Sequence, residues 1–236
     1  MRVLVMRAKA DAECTAATLK ALGHNAVLAP VMRIAPRQAP FPTGRFAAVL
    51  ATSAHAFVGG KEAFEALHRL PLFAVGAATA EAGRRAGFED VRVGLGDASA
   101  LAALVTLTLP RPAQLMVLAG RDRKPMLEDG LNRAGYGSII VEAYAAEAEE
   151  GWPATAIEIL SDGDVAAALH FSRRSAGLAF GLAKAHGLAL RFLALSHLCL
   201  SEDVAVPLRE AGAERVLVAA EPCEAALLKR LADVAA

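Results

Sequence analysis

The sequence lacks the features that would place it outside the cytoplasm. Its three cysteines, Cys14, Cys199 and Cys223, are odd in number and widely spaced, which predicts free thiols rather than a disulfide framework. No apolar run approaches the roughly 18 residues needed to span a bilayer. The opening stretch, MRVLVMRAKADAE, is one apolar strand followed by charge and differs from a signal peptide. We therefore expect a cytoplasmic protein that does not enter a membrane.

An excess of positive charge is also missing. Lysine and arginine together number 25, as do aspartate and glutamate, so the formal net charge is +0. A protein that binds nucleic acid mainly through phosphate contacts is usually strongly basic. The balance therefore argues against nucleic acid as a partner.

The common catalytic motifs are absent as well. There is no nucleophile elbow, His-x-x-x-His, Cys-x-x-Cys, Walker A or GxGxxG sequence, and the six histidines are dispersed. The sequence thus contains no motif for nucleophilic, metal-dependent or nucleotide-dependent chemistry, and no metal ligands are predicted.

What the chain does contain is a repeated stretch. Residues Phe73–Val93 match Leu198–Val218 without a gap at an offset of 125, with identities at seven positions. Both copies have the order strand, turn, helix, glycine, strand. With 55% apolar residues and 236 positions, the chain is large enough for one large or two small α/β domains.

Strands and helices alternate along the rest of the chain, which predicts right-handed crossovers and parallel sheets. Besides those of the repeat, the predicted strands are Arg2–Met6, Asn25–Met32, Phe46–Ala51, Gln114–Ala119, Ser138–Tyr144, Val165–Phe171 and Leu190–Leu195. The predicted helices are Ala10–Leu22, Ala54–Leu67 (weakened at Gly59–Gly60), Ala98–Leu107, Met126–Ala134, Ala154–Leu160, Ser175–His186 and Cys223–Val234.

Two stretches interrupt this alternation. Arg33–Pro42 holds three prolines and is predicted to be a linker or an edge strand, and Ala145–Pro153 is acidic and rich in turn residues. They occupy equivalent places in the two halves. Two lobes follow from this, and the pattern allows either sequential lobes that divide near Pro110 or interleaved lobes in which one lobe contains both chain ends.

The carboxyl ends of the predicted strands carry hydroxyls, arginines and helix N-termini. In open parallel sheets, ligands bind beyond these ends, where helix N-termini bind anions. A site for a carboxylate-rich molecule is therefore predicted from the following residues: Arg7, Thr52, Ser53, Gly76, Gly120, Arg121, Ser172, Arg173, Ser201, Glu221 and Pro222.

The two copies of the repeat differ where their helices begin. After Gly76 the helix opens Ala-Ala-Thr-Ala, whereas after Ser201 it opens Glu-Asp-Val-Ala. Acidic residues already neutralise the dipole of the second helix, and Ser201 is suited to cap it. We expect the first copy to be the better carboxylate site, with Thr79 in it, although Thr79 is equally consistent with an ordinary early helix residue.

Short segments over the whole length resemble the uroporphyrinogen-III synthase family in their order and spacing. They are the opening strand with Arg7, LKALGH, ATSAHA at Ala51–Ala56, FAVGAATA at Phe73–Ala80, LAGRD at Leu118–Asp122, VEAY at Val141–Tyr144, HFSRRSA at His170–Ala176 and VAAEP at Val218–Pro222.

The resemblance implies an α/β fold of two flavodoxin-like lobes with parallel sheets, joined by a two-stranded linker, with the active site in the cleft. It selects the interleaved arrangement. Residues 1–34 plus 150–236 would form one lobe and residues 39–146 the other, with linkers near 33–42 and 145–153.

The resemblance also implies an activity. The family is a cofactor-independent and metal-independent lyase that cyclises linear hydroxymethylbilane to uroporphyrinogen III, inverting ring D and releasing water. Loss of the hydroxyl gives an azafulvene, ring D attacks through its substituted position, and a spiro intermediate fragments and recloses. Orientation and electrostatics would then matter more than reactive side chains.

By the same resemblance, Tyr144 is the catalytic candidate, as the donor that helps the hydroxyl leave; the alternative is a tyrosine that covers the hinge. Substrate would be bound by Thr52, Ser53, Gly76 and Thr79 in one half, by Ser172, Ser175 and Pro222 in the other, and by Arg7 and Arg121 through carboxylates. The chain departs from the family pattern at Ser201–Val204, at Cys223 and at His55.

Other hypotheses remain open at this point. A two-lobe protein of this kind could bind a polycarboxylate or act as a sensor without catalysis, or could be an inactive member of the family. We expect a monomer, with hydroxymethylbilane as substrate and the preceding pathway enzyme as a partner.

Overall fold

The computed structural model describes residues 1–37, 40–123 and 125–234, and the chain divides into two compact units. Unit 1 comprises Met1–Arg33 and Glu147–Ala236, and unit 2 comprises Ile34–Ala146. Each unit has its own parallel-dominated sheet with apolar clusters on both faces.

The first half of the chain contains β1 (Arg2–Val5), α1 (Lys9–Ala21), β2 (Asn25–Leu28), β3 (Met32–Pro36), β4 (Ala48–Ala51), two 3-10 segments (Ala54–Phe57 and Glu62–Leu67), β5 (Leu72–Ala74), α2 (Ala77–Arg85), β6 (Val91–Val93) and α3 (Ala98–Thr108). The second half contains β7 (Gln114–Gly120), α4 (Met126–Arg133), β8 (Gly137–Ala148), α5 (Ala154–Ser161), β9 (Ala167–His170), α6 (Arg173–Ala185), α7 (Ala189–Leu193), β10 (Ser196–Cys199), α8 (Glu202–Glu210), β11 (Val216–Val218), α9 (Glu224–Lys229) and a final 3-10 segment (Arg230–Asp233).

The sheet of unit 1 has the strand order β11-β10-β9-β1-β2, and its strand pairs are parallel. Strands β1 and β9 are buried along nearly their whole length because helices cover both faces of the sheet. Leu4 and Phe192 lie in the cluster on one face, and Val3 and Leu198 lie in the cluster on the other.

Unit 2 lies around a six-stranded sheet with the order β3-β8-β7-β4-β5-β6. Strands β4 to β8 pair in parallel. Strand β3 is at the edge of this sheet and overlaps the start of Arg33–Pro42, the proline-rich stretch predicted to be a linker or an edge strand. A proline at an edge forfeits no ladder hydrogen bond. The fully buried Phe73 lies in the cluster on the face that also contains Leu50 and Leu101.

Both crossings between the units lie in strands. The chain passes from Arg33 to Ile34 within β3 and from Ala146 to Glu147 within β8, and these two strands are neighbours. Hydrogen bonds from Arg37 N to Ala143 O (2.8 Å) and from Glu149 N to Val31 O (3.0 Å) show that they run antiparallel. The stretch Ala145–Pro153, predicted as turn-rich, therefore begins as a continuation of β8 rather than as a loop.

The sequence repeat is a repeat of structure. Helices α2 and α8 begin and end 125 residues apart, and so do strands β6 and β11. In unit 2 the central strand β4 lies between β5 and β7, and in unit 1 the equivalent β9 lies between β10 and β1. The N-terminal strands β1 and β2 thus complete a sheet that the C-terminal half begins. The predicted α/β fold with parallel sheets is confirmed.

Two predicted elements are wrong. The helix expected over Ala54–Leu67 is replaced by two 3-10 segments, because Gly59 and Gly60 separate them and Gly60 has a φ of 81°. The strand expected over Leu190–Leu195 is helix α7, and β10 begins only at Ser196.

The burial pattern explains the second error. Leu188, Phe192 and Leu195 are buried while Leu190 is 85% exposed, which is helical spacing along a short apolar run. Phe192 packs at 6.0 Å from the ring of Trp152, and this tertiary contact favours the helix.

Candidate functional site

The carboxyl-end edge of the unit 2 sheet gathers most of the predicted site residues. Strand order reverses between β4 and β7, and such a switch point is where ligands bind in open parallel sheets. Gly120 ends β7 and is followed by Arg121, and Thr52 and Ser53 follow β4. Gly76 lies two residues beyond β5, and Tyr144 lies within β8 at the position that pairs with Gly120.

Ser53 is an N-cap residue at this edge. Its backbone is extended, and its hydroxyl accepts a hydrogen bond from the backbone N–H of His55 at 3.2 Å. This turns the chain sharply after β4 and leaves the neighbouring Thr52 exposed. The Thr52 side chain is therefore available to a ligand, whereas the Ser53 hydroxyl is partly used within the chain.

Gly76 opens the N-terminus of α2. It is extended (φ −164°) and has no side chain with which to cap the helix, and the first turn contains no acidic residue. Ala77 and Ala78 are exposed, whereas Thr79 is only 4% exposed. The first backbone N–H groups of a helix have no hydrogen-bond partner within the helix, so they can donate to a bound anion. Small, exposed side chains leave these groups accessible, while Thr79 lies inside.

The loop after β6 supports this turn. The backbone N–H of Gly94 donates to Ala74 O at 2.8 Å, and that of Gly96 donates to Val75 O at 2.8 Å. A Cβ on Gly94 would lie 3.0 Å from Val75 O, so glycine permits the close approach. The end of β5 is thereby held in one conformation beside the α2 N-terminus.

Tyr144 lies beside β7 because of an irregularity in the pairing of β7 and β8. Ala119 pairs with Glu142, but the next residue, Gly120, pairs with Tyr144. The backbone N–H of Arg121 donates to Tyr144 O at 3.0 Å. The tyrosine ring is partly buried and lies 5.6 Å from the imidazole of His55 in an edge-to-face arrangement.

Arg121 is available to a ligand in this arrangement. Its guanidinium lies 3.8 Å from the carboxylate of Glu142, and both side chains are exposed. A surface ion pair of this length contributes little stability. Exchange of Glu142 for a carboxylate of a ligand would therefore require little free energy.

The equivalent edge of unit 1 uses its polar groups internally. The Ser172 hydroxyl caps α6 by accepting from the backbone N–H of Ser175 (3.1 Å), and the two hydroxyl oxygens lie 2.7 Å apart. Ser175 is buried. Pro222 is exposed in the turn before α9. Ser172 and Ser175 thus form a helix cap.

Arg7 is also engaged within unit 1. Its guanidinium donates to Glu224 at 3.0 Å and to the Thr15 hydroxyl at 3.3 Å, and it lies 3.4 Å from Asp11. It also stacks 4.2 Å from the centre of the Phe171 ring. A ligand carboxylate at Arg7 would have to displace one of these internal acids.

Helix α8 is neutralised at its own N-terminus. Glu202 and Asp203 occupy its first turn and pair with Arg209 and Arg173. The hydrogen bond from Arg209 lowers the pKa of the Glu202 carboxyl, so this residue stays charged. Helix α2 has no acidic residue in its first turn, so the first copy stays the predicted carboxylate site.

The fold also places side chains together that the sequence analysis did not select as site residues. His55 adjoins Tyr144 at the unit 2 edge. In unit 1, His170 and His197 form a buried pair with Nε2 and Nδ1 2.9 Å apart. They stand 27 positions apart in sequence, on the neighbouring strands β9 and β10, so no motif spacing could have revealed them.

A cavity of about 480 Å³ in unit 2 is lined by Pro36, Arg37, Phe41, Val58, Phe64 and Ala143 among others, and none of the predicted site residues lines it. Within residues 1–37, 40–123 and 125–234, no three His, Cys, Asp or Glu side chains are placed to hold a metal ion. In that same described part of the chain, no helix is long and apolar enough to cross a membrane.

The fold and these edges define a class of protein. It is a two-unit, doubly wound α/β protein whose strand ends present hydroxyls, an arginine, a tyrosine and the N-terminus of α2, which has neither a side-chain cap nor an acidic residue in its first turn. Such an edge suits an anionic small molecule.

Comparison with known proteins identifies the family. The family model described as uroporphyrinogen-III synthase HemD matches residues 13–229, so the chain belongs to the uroporphyrinogen-III synthase family. This family consists of cofactor-independent lyases that cyclise hydroxymethylbilane. A search of curated proteins found no match.

Solved structures share the fold. A uroporphyrinogen-III synthetase from Helicobacter pylori is 14% identical, with a TM-score of 0.62, and the match covers 99% of this chain and 100% of that one. A mutant uroporphyrinogen III synthase from Thermus thermophilus is 22% identical, with a TM-score of 0.50, covering 100% and 98%. At these identities the similarity establishes the fold alone.

Proposed function

We propose that this chain closes hydroxymethylbilane to uroporphyrinogen III at the carboxyl-end edge of the unit 2 sheet. Family membership supports the reaction. The observation that supports this location is the arrangement of Tyr144 and the open N-terminus of α2 on one sheet edge. One group can donate a proton and the other can hold a carboxylate.

In the proposed mechanism Tyr144 is the general acid. Its phenol donates a proton to the hydroxyl of the bilane, the carbon–oxygen bond breaks and water leaves, which produces an azafulvene. The substituted carbon of ring D attacks this electrophile to give a spiro intermediate. The original bond from that carbon to its bridge then breaks, the bridge bonds to the other side of ring D, and a proton is lost from the new junction.

The remaining residues of the edge orient the bilane. The N–H groups after Gly76, the Thr52 and Ser53 side chains and Arg121 bind substrate carboxylates, and Thr79 supports the helix from inside. Cyclisation without an enzyme yields the uninverted isomer, so the protein must bias which carbon of ring D attacks. Fixed hydrogen-bond donors achieve this through orientation and electrostatics, without a cofactor.

Unit 1 contributes less directly in this proposal. Arg7, Ser172, Ser175 and Pro222 stay candidate substrate residues, but Arg7 and the two serines are already bonded within the unit. The family fold would place residues 1–34 and 150–236 in one lobe and residues 39–146 in the other. We further propose that the protein is a cytoplasmic monomer that receives its substrate from the preceding pathway enzyme.

A coupled assay tests the proposed function. Hydroxymethylbilane is generated in situ, the protein is added, and the oxidised porphyrin isomers are separated by chromatography. We expect the product to shift from the type I to the type III isomer, with heat-denatured protein as the control. Only type I product from folded protein would contradict the proposal and favour a polycarboxylate-binding protein without catalysis, for which the comparisons provide no support.

A further inference from the structure

The ring of Tyr144 occupies the space that a side chain at position 120 would need. A Cβ added to Gly120 would lie 2.7 Å from Cζ, 2.9 Å from Cε2 and 3.0 Å from the hydroxyl oxygen of Tyr144. Carbon atoms in proteins do not approach so closely without displacement. Glycine at position 120 therefore provides the place in which the phenol lies.

A β-bulge brings the ring to this place. Regular pairing would put Gly120 opposite Ala143, but the shift after Ala119 puts it opposite Tyr144. As a result both Ala143 and Tyr144 pack against the same apolar cluster, the one that contains Leu118 and Ala51. An extra residue in one strand redirects the side chain that follows it, and such bulges are common near functional sites.

His55 bounds the ring on another side. The two rings are 5.6 Å apart between centroids and inclined at 65°, which is the favourable edge-to-face geometry for aromatic pairs. The backbone N–H of His55 is fixed by the Ser53 hydroxyl at 3.2 Å. Removal of the imidazole would leave that cap intact, because the cap uses backbone and not side chain.

We propose that Gly120 and His55 are positioning residues, which hold the Tyr144 phenol where it meets the departing hydroxyl of the bilane. The catalytic importance of this arrangement of Gly120, His55 and Tyr144 rests on the proposed function, whereas the arrangement itself is observed in the structure. Neither residue carries out chemistry itself. Both act by restricting one ring to one orientation.

The geometry is tested without any assay of activity. The chain has two tyrosines, Tyr136 and Tyr144, so protein labelled with 3-fluorotyrosine gives two ¹⁹F resonances, which Tyr144→Phe assigns. We expect Gly120→Ala to shift the Tyr144 resonance and leave that of Tyr136 in place. The matched control is Gly130→Ala, whose new methyl group meets Ala102 at an ordinary 3.4 Å. If the Tyr144 resonance does not move in folded Gly120→Ala, the proposal that Gly120 positions the Tyr144 ring is wrong.

Kinetic measurements test whether the position of the Tyr144 ring matters for the reaction. A displacement of about 1 Å can reduce a rate by about 10²-fold, so we expect Gly120→Ala to lower kcat on that order with little change in KM. The double variant Gly120→Ala/Tyr144→Phe should be no slower than Tyr144→Phe alone. A further loss in the double variant would mean that Gly120 acts independently of the tyrosine, which contradicts the proposal.

Two substitutions of His55 distinguish positioning from proton transfer. His55→Phe keeps an aromatic edge against Tyr144 and should retain kcat, whereas His55→Ala should lower it. Equal loss in both variants would overturn the positioning role of His55. If Tyr144→Phe is fully active, both the proposed catalytic role of Tyr144 and the catalytic importance of Gly120 and His55 are wrong. The ¹⁹F measurement reports separately on the position of the Tyr144 ring.

Discussion

The two tyrosines of the chain occupy opposite environments, and this contrast provides a matched experiment at the scale of single residues. Tyr136 is buried and its hydroxyl donates to Leu109 O at 2.7 Å. Tyr144 is partly buried at the carboxyl-end edge of the unit 2 sheet. Loss of one hydroxyl should affect stability, and loss of the other should affect catalysis.

We expect Tyr144→Phe to lower kcat by at least about 10²-fold, the usual contribution of a positioned general acid, with unchanged stability. Tyr136→Phe should leave kcat unchanged and lower the free energy of unfolding by about 1 kcal/mol, because Leu109 O loses its donor. Isomer-resolved kinetics and urea unfolding measure the two effects. Full activity in Tyr144→Phe would remove this residue from the mechanism.

The buried histidine pair makes stability depend on pH. Burial is the main cause that lowers the pKa of His170 well below its usual value and that of His197 to about 4. In the unfolded chain both groups titrate near 6.5. Below about pH 6.5 the unfolded state therefore binds more protons than the folded state, and stability falls as the pH drops toward 4.

We expect the wild-type protein to lose about 4 kcal/mol of unfolding free energy between pH 7 and pH 5, about 2 kcal/mol for each imidazole that is protonated in the unfolded chain and neutral in the folded pair. The variant His170→Leu/His197→Leu removes both imidazoles together and should show a flatter profile. The other four histidines are present in both proteins, so they cancel in the comparison. Urea midpoints at several pH values measure the effect, and parallel profiles would refute it.

At the scale of secondary-structure elements, the serine pair at the start of α6 is a helix cap. Ser172→Ala should lower the free energy of unfolding by about 1 kcal/mol, whereas Ser172→Asp keeps an accepting oxygen and should retain it. Urea unfolding at neutral pH distinguishes the two. Equal destabilisation by both changes would show that the side chain at position 172 does not cap α6.

The equivalent helices α2 and α8 offer a second experiment on elements. The double change Ala77→Glu/Ala78→Asp gives α2 the first two residues of α8 at exposed positions. Negative charge near a helix N-terminus is stabilising by about 0.3–1 kcal/mol, so the helix should become more stable. The same charges repel substrate carboxylates, so KM should rise.

The neutral control is Ala77→Gln/Ala78→Asn, which adds similar bulk without charge. Steady-state kinetics and thermal unfolding measure both properties. Equal KM values for the charged and neutral variants would show that this helix end does not bind the substrate.

At the scale of the whole molecule, charge is divided unequally between the units. Unit 2 carries 12 basic and 10 acidic residues, a net charge of +2, while unit 1 carries 13 and 15, a net charge of −2. The overall charge of zero provides no long-range attraction for a polycarboxylate, so binding depends on short-range contacts, mainly in unit 2.

Salt should therefore act on binding rather than on chemistry. Raising the NaCl concentration from about 0.1 M to about 1 M shortens the Debye length from about 10 Å to about 3 Å. We expect KM to rise and kcat to stay nearly constant. The difference in KM between wild type and Ala77→Glu/Ala78→Asp should shrink at high salt, and a constant difference would argue against an electrostatic origin.

Local patterns in the sequence were sufficient for much of this protein. Alternating apolar segments and glycine stops predicted most helices and strands, and the repeat predicted equivalent elements whose ends agree to the residue in α2 and α8. The sequence alone shows that α8 begins with acidic residues and that α2 begins with uncharged ones. These properties depend on residues that are close together in the chain, so they can be predicted from a single sequence.

Other features were decided only by tertiary structure. Helix α7 places Phe192 against Trp152, a contact that favours the helix, and the buried pair of His170 and His197 forms because β9 and β10 are neighbours. The internal use of Arg7 depends on Glu224, which lies 217 positions away.

The orientation of Tyr144 belongs to the same group of features. The resemblance of the sequence to the family suggested the tyrosine as a candidate, but the sequence contains no sign of the register shift after Ala119 or of the space over Gly120 that the ring occupies. Pairing register between strands is set by the packing of whole sheet faces, and a shift of one residue redirects a side chain. For this reason the resemblance to the family was sufficient to propose the tyrosine, whereas its surroundings required the folded chain.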